Sequence, residues 1–140
     1  MDFKLELVLV PVSDVDRAKA FYVEKLGFNL DVDTRPAENL RVVQMTPPGS
    51  ACSITIGTGI TKATPGSVEG LHLVVADIVA ARAGLAERGA NVNQVFHFEL
   101  GKQVPGPDPE RGDYNSFADF RDPDGNAWLL QEVNHGKAGS

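Results

Sequence analysis

Hydrophobic and polar positions along this chain alternate in short runs and switch twice to a helical spacing. An apolar stretch from Leu7 to Val12 leads into Ser13 and Asp14, after which Val15, Ala18, Phe21, Tyr22 and Leu26 recur at helical intervals up to Gly27. The pattern predicts a strand followed by a helix, with Asp14 or Ser13 capping its free amides and Gly27 ending it. The same signals return from Leu73: an apolar run, Asp77 as cap, Ile78, Ala81 and Leu85 as the stripe, and Gly89 as the stop. Gly84 weakens this second helix by about 1 kcal/mol relative to Ala, unless its small size serves close packing on a sheet.

A second match follows. Thr46-Pro47-Pro48-Gly49 and Asp122-Pro123-Asp124-Gly125 are Pro-containing turns, each between two strand-like runs, Leu40 to Met45 with Ala51 to Gly57 and Ser116 to Arg121 with Ala127 to Val133. Each half therefore reads strand, helix, strand and a hairpin of two strands. The helix caps lie 63 positions apart and the turn glycines 76, so the second half carries 13 extra residues between helix and turn. They fall in the polar, Pro- and Gly-rich stretch from Gly101 to Asn115, which looks too irregular for an element and long enough for a functional loop. The expected organisation is one domain, 1–140, built from modules 1–60 and 68–135 joined by the Gly- and Thr-rich segment Thr58 to Val68. The tail after Asn134 is expected to fray.

Composition narrows the function classes. The chain of 140 residues is 42% hydrophobic and 23% charged, enough to bury a core. A formal net charge of −6 gives an acidic surface that repels a phosphate backbone, which argues against nucleic acid as a partner. No apolar run approaches the roughly 20 residues of a membrane span, and the start lacks a signal peptide's basic and apolar regions. The expectation is a soluble, cytoplasmic protein without a membrane partner. The single cysteine, Cys52, cannot form an internal disulfide, and no CxxC or Cys/His cluster suggests structural zinc.

The duplicated βαβββ pattern, with Val-Ser-Asp-Val-Asp-Arg-Ala-Lys-Ala-Phe-Tyr near the start and Phe-Arg-Asp-Pro-Asp-Gly-Asn-Ala-Trp near the end, resembles the vicinal oxygen chelate superfamily. That group is also called glyoxalase/bleomycin resistance/dioxygenase, and the resemblance covers roughly residues 4 to 134. It implies an α+β fold in which two tandem modules form a curled mixed sheet around a cavity, and a homodimer. The family spans metal-dependent lyases, isomerases, epimerases and dioxygenases as well as metal-free proteins that sequester antibiotics, so the fold alone names no reaction. Its enzymes place metal ligands seven residues before the cap Asp and four after the turn Gly. Here those positions are Leu7, Gly70, Ser53 and Leu129, which offer one hydroxyl between them. The expectation is therefore a binding protein with no metal or other cofactor, holding an aromatic or largely apolar small molecule. The alternative is a metal-dependent lyase, isomerase or dioxygenase with a displaced site.

Strand alternation adds Leu9, Thr55, His72 and Gln131 to the same inner face and sends Val8, Ile54, Leu71 and Leu130 to a helix-covered one. The expected ligand contacts are thus His72, Gln131, Thr55 and Ser53 as polar groups and Leu7, Leu9 and Leu129 as walls. Glu6 and Glu132 point outward and read as solvated. His97 alternates with Phe96 and Phe98, with its face undecided; His135 belongs to the tail. Cys52 and Trp128 read as packing residues, Cys52 sharing the face of Ile54. Asp122 and Asp124 could act as paired acid and base, but Asp-Pro-Asp-Gly suits a turn better. The run Asp108 to Tyr114 reads as a solvated loop, or as a lid in which Tyr114 and Arg111 touch the ligand. Gly57-Thr58-Gly59 lacks what a phosphate loop needs.

Overall fold

Asp14 and Asp77 hold extended backbone at the starts of the two helices and accept hydrogen bonds from the first-turn amides of Arg17 in one case and of Val79 and Ala80 in the other. The computed structural model describes residues 1–134, so His135 and the tail lie outside the described residues. The chain divides into two compact units, Met1–Val68 with the turn Asp122–Asn126, and Glu69–Arg121 with the chain from Ala127 onward.

In the first unit, strand β1 (Leu7–Leu9) precedes helix α1 (Val15–Ala20), then come β2 (Asn29–Ala37), β3 (Leu40–Thr46) and β4 (Ser53–Thr58). The sheet order is β1-β4-β3-β2, with β1 parallel to β4 and the other pairs antiparallel. The α-helix is shorter than its periodicity predicts. From Phe21 to Lys25 the backbone widens into a π turn, closed by Leu26 N–H donating to the Phe21 carbonyl at 3.1 Å. Phe21 and Tyr22, at the start of this turn, are both buried. Val10, Val43, Met45, Ile54 and Ile56 form the core under this helix. At its border Arg41 reaches Asp33 and Asp16, so its guanidinium holds the Asp33 carboxyl far below the usual range.

Tyr22 ends on the Asp122 turn. The Asp122 carboxylate accepts from Tyr22 Oη at 2.7 Å, from Asn126 Nδ2 at 2.7 Å and from the amides of Asp124 and Asn126 at 2.9 Å. Asn126 Nδ2 also donates to the Pro11 carbonyl. Gly125 adopts φ +102°, which favours glycine. Asp122 is thus a turn anchor, as its sequence context suggests, and is 4% exposed with its oxygens occupied.

In the second unit, β5 (Leu71–Val75) precedes α2 (Ile78–Glu87), followed by β6 (Phe96–Glu99), β7 (Lys102–Pro105), β8 (Phe117–Arg121) and β9 (Ala127–Glu132). The order is β5-β9-β8-β6-β7, with β5 and β9 parallel. The two mixed sheets and few helices are the predicted α+β fold with one strand more. Part of the insertion, expected to be irregular, forms β7, pairing Phe96 with Pro105 through Glu99 with Lys102. Its turn, Leu100-Gly101, has positive φ at both residues; Leu in the slot where Asn or Asp is usual hides the hairpin signal.

The rest of the insertion is anchored, contrary to the solvated-loop expectation. Asp108 accepts from the amides of Glu110 and Gly112, and its own amide donates to Ser116 Oγ. Arg111 bonds Glu132 at 2.8 and 3.0 Å and Asp77 at 3.1 Å. Glu132 is therefore not solvated. At 1% exposure it takes the Ile78 amide at the start of α2 and the Arg111 guanidinium, whose bond lowers its pKa. Gly84 is exposed, with nothing within 4 Å of where a Cβ would stand, so it serves no close packing. Among the described residues no helix is long and apolar enough to cross a membrane.

Candidate functional site

Each sheet has one face under its helix and one turned away from it, and the predicted contact residues sort onto the second. In the first unit, register sets Leu7 beside Ser53, Leu9 beside Thr55, Thr55 beside Gln44 and Gln44 beside Val32, all on the uncovered face. Leu7 and Leu9 are 37% and 40% exposed, a large fraction for leucines in a strand. Val8, between them, points toward the helix with its partner Ile54. Cys52 lies just before β4 and is half-buried.

The polar groups on this face are connected. Ser53 Oγ lies 2.7 Å from Thr46 Oγ1 and receives Gln44 Nε2 at 3.4 Å, while Thr46 Oγ1 also bonds the Asp31 carboxylate. Asp31 shares the face of Asn29, which opposes Thr46. Leu30 opposes Met45 and Val32 opposes Gln44, so Asp31 has no opposite residue and the alternation shifts after it. Two residues on, Asp33 points to the helix side and to Arg41. Thr55 Oγ1 is buried and has no hydrogen-bond partner among the described residues. A hydroxyl so placed costs about 1–3 kcal/mol while it stays unsatisfied.

In the second unit the uncovered face carries His72 beside Leu129, Val74 beside Gln131, Gln131 beside Phe117, and Leu129 beside Asp119. Phe117 in turn opposes Phe96. The rings of Phe96 and Phe117 stack at 5.4 Å between centroids, and Phe98 packs edgewise on both at 5.9 and 5.7 Å. Such arrangements match the aromatic quadrupole and hold the rings as a unit. His72 is exposed, its Nδ1 2.8 Å from the Gly70 carbonyl. Trp128 packs on the covered side, stacked on Phe120.

Two predicted contacts fall elsewhere. Tyr114, at φ +66°, donates its amide to the Glu132 carbonyl, one residue beyond Gln131 at the end of β9, and Arg111 is committed to Glu132 and Asp77. His97, on the side opposite Phe96 and Phe98, is buried. Its two ring nitrogens lie 2.7 Å from Glu99 Oε2 and from the Gly106 carbonyl, and the bond to Glu99 raises its pKa. The first unit also has a cavity of about 280 Å³ where Pro11–Ser13 meets Gly57–Gly59 and Thr61–Lys62.

Sequence reasoning missed Asp31, Gln44, Thr46 and the Phe triad's role. The alternation Phe96-His97-Phe98 signalled the triad, whereas nothing in the sequence marks the bulge beside Asp31 that turns Asp33 to the other face. The positions where the resembled family holds its metal carry Leu7, Ser53, Gly70 and Leu129. Hydrocarbon and one engaged hydroxyl do not fit a divalent ion. Among the described residues no group of three or more His, Cys, Asp or Glu side chains could hold one.

Comparison with known proteins follows this geometry. Residues 4–130 match the family model described as Glyoxalase/Bleomycin resistance protein/Dioxygenase superfamily. The structure of TnmS3, an antibiotic binding protein from Streptomyces sp. CB03234, is similar at 35% identity, covering 94% of this chain and 97% of that one, with a TM-score of 0.73. A glyoxalase/bleomycin resistance protein from the same organism is similar at 36% identity, over 91% and 99% of the two chains, with a TM-score of 0.69. A superfamily member from Sphaerobacter thermophilus DSM 20745 shares 30% identity over 94% and 98%, with a TM-score of 0.71. No curated protein matches the chain significantly.

Proposed function

Because the chain belongs to the Glyoxalase/Bleomycin resistance protein/Dioxygenase superfamily, we propose that it is a small-molecule-binding member, which holds an aromatic or largely apolar ligand without a metal. The observation that carries this reading is the make-up of the sheet faces turned away from the helices. In the first unit Leu7 and Leu9 are partly exposed beside Ser53 and Thr55, and in the second Val74 is exposed beside Gln131, with His72 and Phe98 on the same face. Apolar walls with sparse hydrogen-bonding groups are what a small organic ligand requires. Similarity to a protein described as antibiotic binding supports a small-molecule ligand. Positions that would carry metal ligands in an enzyme contribute packing surface instead.

The test is a thermal-shift screen over aromatic metabolites and antibiotics, paired with metal analysis of protein purified without chelator. A ligand that binds only the folded state raises the unfolding temperature, and raises it further as its concentration climbs above the dissociation constant. Stabilisation by at least one aromatic compound, with no stoichiometric metal, is the expected result. Stoichiometric Ni, Zn, Fe or Mn that disappears in His72→Ala would establish the enzyme reading instead.

The protein also acts as a homodimer under this proposal. Met1, Phe3 and Leu5 extend the apolar stripe of β1 and are 104%, 86% and 73% exposed, at an edge strand. Light scattering should return twice 15.0 kDa; a mass of 15.0 kDa would reject the dimer.

A further inference from the structure

The hydrogen-bond chain on the first sheet has a direction. A carboxylate only accepts, so Thr46 must donate its proton to Asp31. Thr46 Oγ1 then accepts from Ser53 Oγ, 2.7 Å away, although distance alone leaves that pair's donor open. The Ser53 proton is thereby committed along the strand pair. Gln44 Nε2 donates to one Ser53 lone pair, and the other remains. Ser53 Oγ can therefore meet a ligand only as an acceptor.

We propose that Asp31, acting through Thr46, is a specificity-determining positioning residue that makes Ser53 select ligands carrying an O–H or N–H donor at the edge of an aromatic ring. This rests on the small-molecule reading above and narrows its ligand class. Leu7 and Leu9, beside Ser53 and Thr55, supply the surface for the ring. Thr55 Oγ1, with no partner among the described residues, stands two positions further along β4, roughly 6.6 Å away at the usual strand rise. It can take or give a hydrogen bond at the far side of the same ring. Asp31 shares the face of Asn29, which opposes Thr46, and the bulge after it turns Asp33 to the helix side instead.

The experiment compares two probes of one ring system, 1-naphthol and 1-methoxynaphthalene, by calorimetric titration of the intact protein. Wild type should bind the naphthol about tenfold more tightly, because the ether leaves the Ser53 acceptor unmet. In Thr46→Val and in Asp31→Ala the Ser53 proton is freed to turn toward the ligand, and the preference should fall to within about twofold. Asp31 is exposed, so Asp31→Ala keeps the fold; its unfolding temperature is measured alongside. Equal binding of both probes to wild type, or a preference unchanged in both variants, overturns the inference and leaves the binding reading standing. Failure of both probes to bind at millimolar concentration overturns the two together.

Discussion

The two units follow one order of strand, helix and strands but place their polar residues differently. In the first, the uncovered face carries a connected polar line from Asp31 to Gln44, and the charged groups gather at the helix border around Arg41. In the second, the uncovered face is aromatic, and the buried carboxylate, Glu132, sits under the start of α2 and is tied to the inserted loop by Arg111. The hairpin turns differ too. Thr46-Pro47-Pro48-Gly49 closes with the Ser50 amide donating to the Pro47 carbonyl, whereas Asp122 gathers four donors on one side chain. A repeated backbone thus needs only a cap, a stop and a turn at matched positions. The side chains between them are free to diverge.

The largest effect should come from breaking the contrast between the turns. Asp122→Ala removes the carboxylate that accepts from Tyr22 Oη, Asn126 Nδ2 and two amides and should cost about 3 kcal/mol, while Pro48→Ala should stay within about 0.5. Urea unfolding of both variants measures the difference, and equal losses would show that the second turn carries no special anchor. Next, Arg111→Ala removes the partner of a buried carboxylate. With the Arg111 side chain 42% exposed, the loss is discounted to about 1.5 kcal/mol. Glu132 has a lowered folded pKa, so its contribution is present above the unfolded value of 4.5 and is lost as pH falls through the folded one. Wild type should therefore lose more stability than Arg111→Ala on acidification below about pH 4.5.

Phe117→Ala sharpens the contrast between the faces. It should lower the affinity for an aromatic ligand by about tenfold while costing about 1 kcal/mol of stability, read by calorimetry and urea unfolding. The smallest effect concerns the hairpin that only the second unit has. His97 faces two acceptors and has a raised pKa, so its contribution is full below the unfolded value of 6.5 and is lost as pH rises through the folded one. Amide exchange at Gly106, corrected for intrinsic rates, should quicken above that range in wild type and show no such step in His97→Gln.

Where the sequence carried a periodic or capping signal, the fold was legible: Asp14, Asp77, Gly27, Gly89 and both turns sit where their patterns place them. Parity along β1, β4, β5 and β9 likewise sorted Leu7, Leu9, Ser53, Thr55, His72, Leu129 and Gln131 onto uncovered faces. What escaped depended on departures from period. A bulge at Asp31 breaks alternation without any Gly or Pro to announce it, and the π turn after Ala20 looks like ordinary helix in sequence. Arg111 and Glu132 stand 21 positions apart, and their pairing is set by tertiary structure that local pattern does not encode. Replacing Lys102 to Asp113 by a Gly-Ser turn shows the consequence, since it looks harmless from loop length alone yet would delete β7 and Arg111.

The central claim is that the faces turned away from the helices bind the ligand. It is tested most directly by titrating the aromatic compound of largest thermal shift into isotope-labelled protein and following side-chain and amide resonances. The account predicts saturable shifts on such a face, at Leu7, Leu9, Ser53 and Thr55 in the first unit or at Phe117, Leu129 and Gln131 in the second, with Trp128 and Ile56 unmoved. Shifts confined to the cavity between Pro11–Ser13 and Gly57–Lys62, with those face residues unchanged, would contradict it.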